Sequence, residues 1–163
     1  ETFCPTESRL TPTRLHEVAF LIERDQRIWM VRHAAGGRWA GLWDLPRLIL
    51  SENPGHIPPP ARLHHDSITE IVPRVWPLGL RIIGHLSRVR YQITRYRVVL
   101  DCFLAEIIPQ RGGPDAIRIR PPAATEESRW IPLDEIQRLP VPSSARKILG
   151  LWMNHRETPN RFS

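Results

Sequence analysis

The alternation of apolar and polar positions near the N-terminus predicts a β-hairpin. Glu17–Glu23 carries five consecutive apolar side chains, and Ile28–His33 forms a second, mostly apolar run after the polar segment Arg24–Arg27. Short apolar runs separated by a polar turn are typical of two buried antiparallel strands. We therefore expect the fold to begin at residue 17, after a polar tail of residues 1–16.

The middle of the chain contains one segment with helical periodicity, between residues 61 and 76. Its apolar positions, spaced by three and four residues, are Ile68, Ile71, Val72 and Val75. This spacing places them on one helical face. Pro73 removes a helical hydrogen bond, so we expect the helix to end near Val72. The proline-rich segment 51–60 predicts a loop before it.

The remaining pattern alternates strands, loops and one more helix. We expect strands over 42–50, 80–89, 92–108 and 128–131, a loop over 110–127, a helical turn at 132–136 and a final helix capped by Ser143 or Ser144. This order predicts an α/β (α+β) fold, a mixed-sheet sandwich with flanking helices. The expected domain spans residues 17–156, followed by a tail of residues 157–163.

Composition narrows the possible partners. The 163-residue chain has a formal net charge of +6, and Lys147 is its single lysine. Arginine is a good bidentate partner for phosphate and guanine, so this composition favours polyanions such as DNA. No apolar run reaches the roughly 20 residues that span a bilayer, and no signal-peptide segment is present, so we expect a cytoplasmic protein without a membrane partner. Because residue 1 is Glu rather than Met, we expect a fragment, a processed form or a trimmed chain.

The two cysteines, Cys4 and Cys102, do not provide a disulfide framework or a four-cysteine zinc site. Cys102 lies within the apolar run 98–104. We therefore expect it to be a buried structural thiol rather than a nucleophile.

Residues 36–47, GGRWAGLWDLPR, combine two tryptophans with three glycines. The glycines lack the spacing of a phosphate-binding loop and lead into a strand rather than a helix. We expect Trp43 to fill the core at the sheet edge, with base stacking as the alternative. Arg38 and Trp39 are candidates for contact with a ligand, since aromatic rings stack on bases and arginine binds phosphate.

Two motifs carry a resemblance to a known family. GLWDLP at 41–46 follows the hairpin, and RWIPLDEI at 129–136 precedes the final helix. Together they resemble the Nudix-like C-terminal domain of MutY-type adenine DNA glycosylases. The resemblance implies a Nudix-like fold and a non-catalytic role in recognising 8-oxoguanine paired with adenine. It also implies DNA as a partner, including duplexes with oxidised guanine, and a separate glycosylase domain that performs catalysis.

One part of the family pattern is altered. In the glycosylase domains that this chain resembles, a histidine and a following Phe-Ser-His loop recognise the lesion. The corresponding positions here are Ser87, Val89, Arg90 and Tyr91. The side chains that suit phosphate contacts and base stacking instead are Arg88, Arg90, Arg95, Arg97 and Tyr91. The alternative is a solvated sheet face on which these arginines form ion pairs.

The same resemblance allows a second function, metal-dependent hydrolysis of nucleoside diphosphate derivatives. Nudix hydrolases hold Mg²⁺ or Mn²⁺ with carboxylates on one helical face. Asp66 and Glu70 are four residues apart on the predicted helix and are the candidate catalytic and metal-binding residues. The family's arginine and one of its glutamates are replaced by His65 and Thr69. Outside this alternative, we expect no cofactor.

A third possibility is a stand-alone interaction domain. Its docking surface would be the tryptophan-rich rim that contains Trp39. This alternative needs neither a metal nor a nucleic acid.

Overall fold

The computed structural model describes residues 12–37, 39–75, 79–108 and 125–157. Its strands are β1 (Thr13–Arg24), β2 (Arg27–His33), β3 (Trp43–Asp44), β4 (Arg47–Glu52), β5 (Gly79–Ile93), β6 (Tyr96–Ile108) and β7 (Thr125–Pro132). Its helices are α1 (His65–Val75) and α2 (Ser143–Glu157), with short 3-10 turns at Pro60–Arg62 and Ile136–Arg138. The predicted α+β class, a mixed sheet with flanking helices, is confirmed.

The central strand of the sheet is β1. In the order β3-β2-β1-β6-β5, it pairs antiparallel with β2 and parallel with β6. It also pairs with β4, and β7 joins the sheet through β2. A strand that is covered on both faces has a continuous apolar run rather than an alternating one, as β1 has over residues 18–22.

The two faces of β1 form two separate cores, because successive strand side chains point to opposite faces. One core combines Val18, Phe20 and Ile22 of β1 with Phe103 of β6 and with Ile68 and Val72 of α1. The other combines Ala19 and Leu21 of β1 with Cys102 of β6 and with Ile148, Leu149 and Trp152 of α2. Burial of each large apolar side chain contributes roughly 1.5–3 kcal/mol. The helices α1 and α2 therefore cover opposite faces of the sheet.

Two of the predicted element boundaries differ near the first hairpin. β1 begins at Thr13, so residues 13–16 of the predicted tail are part of the sheet, where Thr13 lies beside Tyr96 of β6. The predicted strand over 42–50 is divided into β3 and β4 around Pro46. Proline has no N–H to donate, which explains the interruption of the pairing at that point.

Other boundaries shift further along the chain. α1 begins at His65, after the separate 3-10 turn, and continues to Val75 rather than ending near Val72. β5 continues to Ile93, past its predicted end at residue 89, and a tight turn at residues 94 and 95 leads into β6. β7 begins at Thr125, inside the predicted loop.

Several predicted segments lie outside the described residues. These are residues 1–11 and 158–163 of the tails, residues 110–124 of the predicted loop and Arg38. Within the described ranges, no helix has the length and apolar character that crossing a bilayer requires.

Candidate nucleic-acid interface

Residues paired across β1, β6 and β5 form rows on the sheet face that carries α1. The first row is Arg14, Arg97 and Gln92, and the second row is His16, Val99 and Arg90. Both rows share a face with Phe20 and Phe103, because side chains two positions apart on a strand point the same way. Arg14, Arg90 and Arg97 are all exposed. The structure thus concentrates positive charge on one part of this face.

A groove of about 590 Å³ lies along these rows. We call it the arginine groove, since Arg14, Arg90 and Arg97 line it, together with Ile57 from the loop before α1. None of its lining residues is acidic, and within the described part of the chain no carboxylate forms an ion pair with the three arginines. Like charges on paired strand residues repel each other. The groove therefore suits an anionic ligand.

Arg95 lies at the turn between β5 and β6, close to the arginine groove. Its guanidinium carbon is 5.4 Å from the centre of the Tyr96 ring, and the side chain is exposed. The backbone carbonyl of Arg95 accepts a hydrogen bond from the N–H of Thr13, which joins the turn to the start of β1. Of the predicted DNA-contacting residues, Arg90, Arg95 and Arg97 are thus exposed at one end of the sheet.

Arg88 differs from these arginines because it is buried against Asp101. Its Nε donates to Oδ1 of Asp101 at 2.9 Å and its Nη2 to Oδ2 at 3.0 Å. Nη2 also donates to the carbonyl oxygen of Pro58 at 2.6 Å, and 11% of the side chain is exposed. The expected phosphate contact of Arg88 does not fit this geometry, since these donors are already used within the protein.

Asp101 is fully buried, and its two oxygens also contact two histidines. Nε2 of His16 lies 2.7 Å from Oδ2, and Nε2 of His85 lies 2.8 Å from Oδ1. Burial by itself raises the pKa of Asp101, but the hydrogen bonds from His16, Arg88 and His85 outweigh it and lower the pKa to about 2. An ionised carboxylate only accepts hydrogen bonds, so both histidines donate to it. Asp101 thereby balances the charge of Arg88.

The loop between β4 and α1 is tied to the sheet at both ends. Asn53 accepts a hydrogen bond on Oδ1 from the N–H of Arg14 at 3.2 Å, and its own N–H donates to the Arg14 carbonyl at 2.7 Å. At the other end, the Pro58 carbonyl accepts the bond from Arg88. Ile57, which precedes Pro58, lines the arginine groove. The loop therefore forms one wall of the groove.

A second buried polar cluster surrounds Arg47 on the α2 side. Its Nη2 donates to Asp44 at 3.0 Å and to Ser144 at 2.7 Å, and its Nη1 donates to the Tyr91 hydroxyl at 3.2 Å. Tyr91 donates in turn to Glu17 at 2.6 Å. Burial lowers the pKa of Arg47, but the carboxylates of Asp44 and Glu17, together with the neighbouring Tyr91, outweigh that effect and raise it. The guanidinium therefore stays charged and holds the cluster together.

Trp39 and Tyr91, which were candidates for base stacking, belong to this cluster. The Arg47 guanidinium lies 4.6 Å from the centre of the Trp39 ring, and the Trp39 and Tyr91 rings are 5.9 Å apart. Both residues are half-buried and line a cavity of about 140 Å³ beside the start of α2. These contacts occupy ring surface within the protein, so the geometry does not favour an open stacking platform or a protein-docking rim at Trp39.

Two predictions about packing are confirmed. Trp43 is 8% exposed and packs in the core on the α2 side. Cys102 is fully buried in the same core, and its burial raises the pKa of the thiol to about 12. Both side chains therefore have structural roles.

Asp66 and Glu70 lie on α1, as expected, and both are exposed. The described residues contain no group of three or more His, Cys, Asp or Glu side chains that could hold a metal ion. Mg²⁺ at a diphosphate needs several oxygen ligands in a fixed arrangement. Two exposed carboxylates do not supply it, so the residues that the structure describes do not fit the metal site of a Nudix hydrolase.

Sequence analysis missed both buried clusters. A signal for the first one was present, because Asp101 is the single charged residue in the apolar run 98–104, and a buried charge needs partners. The Arg47 cluster had no comparable signal, since Glu17, Tyr91 and Ser144 are distant in sequence.

Comparison with known proteins agrees with this fold. A family model described as NUDIX domain matches residues 17–151. A search of curated proteins finds no match. Among solved structures, the chain is similar to the MutT protein from Methanosarcina mazei Go1, with a TM-score of 0.68 and 16% identity, covering 91% of this chain and 99% of that one.

Two further solved structures have the same fold. The Escherichia coli ORF135 protein gives a TM-score of 0.66 at 13% identity, covering 91% of this chain and 94% of that one. The C-terminal domain of mouse MUTYH, solved in complex with human PCNA, gives 0.54 at 17% identity, covering 87% and 89%. At such identities the similarity shows the fold alone.

Proposed function

The chain belongs to the Nudix domain family, and we propose that it is a non-catalytic member that recognises DNA, related to the C-terminal domain of adenine DNA glycosylases. The proposed ligand is a duplex that contains 8-oxoguanine paired with adenine, and the proposed partner is a glycosylase catalytic domain. The observation that carries the proposal is the arginine groove, in which Arg14, Arg90 and Arg97 meet without an acidic neighbour in the lining.

The arginine groove supports binding of the DNA backbone most directly. Each guanidinium offers paired N–H donors that match two phosphate oxygens. Contacts to phosphate set the position of a protein on the duplex but carry no sequence information. Recognition of the lesion itself rests on the motifs at 41–46 and 129–136, which resemble those of the glycosylase domains.

Salt-dependent binding to a labelled duplex tests the proposal. Each neutralised phosphate releases counterions and contributes about −0.9 to the slope of log binding constant against log salt concentration. Three arginines that each neutralise one phosphate therefore give a slope of about −2.7. Between 50 and 200 mM salt this corresponds to a loss of roughly 40-fold. Arg90→Gln and Arg97→Gln should each reduce the slope, whereas the exposed Arg138→Gln on the α2 side is the matched control.

Two results would count against this function. Absence of DNA binding at low salt would refute the proposed DNA recognition altogether. Equal affinity for a duplex with 8-oxoguanine opposite adenine and for an unmodified duplex would be consistent with binding of the DNA backbone but would refute lesion recognition.

Hydrolysis of nucleoside diphosphate derivatives is the competing function, with Asp66 and Glu70 of α1 as its candidate residues. A panel of nucleotides with Mg²⁺ or Mn²⁺ distinguishes the two. Our proposal expects no release of phosphate or pyrophosphate. Release that is abolished by Glu70→Gln and retained by Arg90→Gln would establish the hydrolase instead.

A further inference from the structure

Arg88 and Arg90 are two residues apart on the same face of β5, yet they meet different neighbours. In the pairing of β5 with β6, Arg90 is opposite Val99, whereas Arg88 is opposite Asp101. Arg90 is exposed in the arginine groove, while Arg88 is mostly buried and bound to Asp101. Two arginines on the same face of one strand therefore have different structural surroundings and different roles.

We infer that Arg88 and Asp101 are positioning residues of the arginine groove: they hold the loop 53–59 in place as its wall, and Arg88 itself binds no phosphate. The inference rests on the proposed function, since it concerns how the groove receives a DNA backbone. Its central observation is the Nη2 atom of Arg88, which donates both to Asp101 at 3.0 Å and to the Pro58 carbonyl at 2.6 Å.

The orientation of Asp101 is fixed by residues from two strands. His16 of β1 occupies Oδ2, and His85 of β5 occupies Oδ1. Rotation of the carboxylate would break at least one of these bonds in a buried setting, where an unpaired polar group is costly. Arg88 binds to both oxygens, so its guanidinium plane is fixed as well. The loop is therefore held by a group that cannot easily turn.

Within the described residues, the loop makes few other hydrogen bonds. Its sequence, NPGHIPP over residues 53–59, contains three prolines without an N–H and a glycine with high backbone freedom. Its ties to the sheet are the bonds of Asn53 to Arg14 and of Pro58 to Arg88, and Pro59 accepts one more bond, from the N–H of Arg62 in the 3-10 turn. A wall that is ordered before binding increases affinity, because its conformational entropy is not lost on association.

The first test measures the loop in the free protein. ¹⁵N relaxation of Gly55, His56 and Ile57 should give order parameters of about 0.85 in the wild type and below about 0.6 in Arg88→Lys. Lysine keeps the charge but carries its donors on a single nitrogen, so it cannot reproduce the separate Nε and Nη2 bonds of the planar guanidinium. Arg90→Lys is the matched control and should leave the loop rigid. An equally rigid loop in Arg88→Lys would overturn the inference, whether or not the protein binds DNA.

The second test measures DNA binding against salt. Arg88→Lys should lower affinity about tenfold with an unchanged salt slope, because a positional constraint is lost while the charge stays. Arg138→Lys, an exposed position outside the arginine groove, is the matched control and should bind as the wild type. If Arg88→Lys binds as the wild type, the positioning role is wrong.

A conservative second variant guards against failure to fold. Asp101→Asn keeps the shape of the side chain and loses its charge, and it should reproduce the loop mobility of Arg88→Lys. The two proposals fail in different ways. A wild type without salt-dependent DNA binding refutes the proposed function, whereas a rigid loop in both variants refutes the positioning role of Arg88 and Asp101.

Discussion

Arg14 of β1 and Arg97 of β6 are direct neighbours in the parallel pairing, although both carry a positive charge. Opposed like charges reduce stability by up to about 1 kcal/mol. We expect Arg97→Gln to raise the free energy of unfolding by a few tenths of a kcal/mol at low salt while it weakens DNA binding. Urea denaturation measures the gain, which should shrink at high salt because the repulsion is screened.

Arg138→Gln is the control for this experiment, since Arg138 is exposed on the other side of the sheet. It should change stability little at any salt concentration. A less stable Arg97→Gln at low salt would mean that the pair does not repel.

Acid should destabilise the protein through Asp101. Its pKa in the folded state is about 2, below the value of about 3.9 expected when unfolded. The stabilisation from its ionised form is therefore complete above about pH 4 and is lost as the pH falls towards 2, by roughly 2 kcal/mol. Thermal unfolding between pH 2 and pH 5 should show a smaller acid-dependent loss in Asp101→Asn than in the wild type. Equal losses would assign the acid sensitivity to other carboxylates.

At position 39, the glycine variant should be more stable than the alanine variant, which is the reverse of the usual order. The φ of Trp39, 65°, lies in the left-handed region, which favours glycine. Both Trp39→Ala and Trp39→Gly lose the contact with Arg47, but glycine relieves the backbone strain, so it should be the more stable by about 1 kcal/mol. Chemical denaturation of the two variants measures the difference. At neighbouring Ala40, which has no positive φ, Ala40→Gly should instead reduce stability.

Cys102 should be unreactive in the native protein. Its burial raises the thiol pKa to about 12, and the thiolate is the reactive form. In a Cys4→Ser variant, a thiol reagent at about pH 8 should label Cys102 only after denaturant is added. Rapid labelling without denaturant would show that the core on the α2 side opens readily.

The elements that sequence predicted best are those determined by nearby residues. The β1–β2 hairpin and the apolar face of α1 follow from local periodicity, and Ile68 and Val72 are buried as expected. The start of β1 at Thr13 could not be predicted this way, because these polar residues join the sheet through pairing with β6, far along the chain.

The site was predicted in part for the same reason. Arg90 and Arg97 lie in the groove because strand alternation places them on one face. Arg14 was missed, since it lies in a polar segment and only the parallel pairing brings it beside Arg97. Arg88 has the same spacing as Arg90, and its burial depends on Asp101 of the neighbouring strand. Periodicity identifies a face, but the partner strand decides what that face contacts.

The parallel pairing of β1 with β6 has a consequence for how the chain folds during synthesis. Thr13 pairs with Tyr96 and Ile22 with Ala105, so residues 13–22 of β1 each meet a residue made 83 positions later. Contacts of such long sequence separation slow folding. Until β6 leaves the ribosome, the apolar run of β1 lacks this partner, and exposed strand edges favour aggregation. The nascent first half of the chain is therefore the stage at which aggregation competes most strongly with folding.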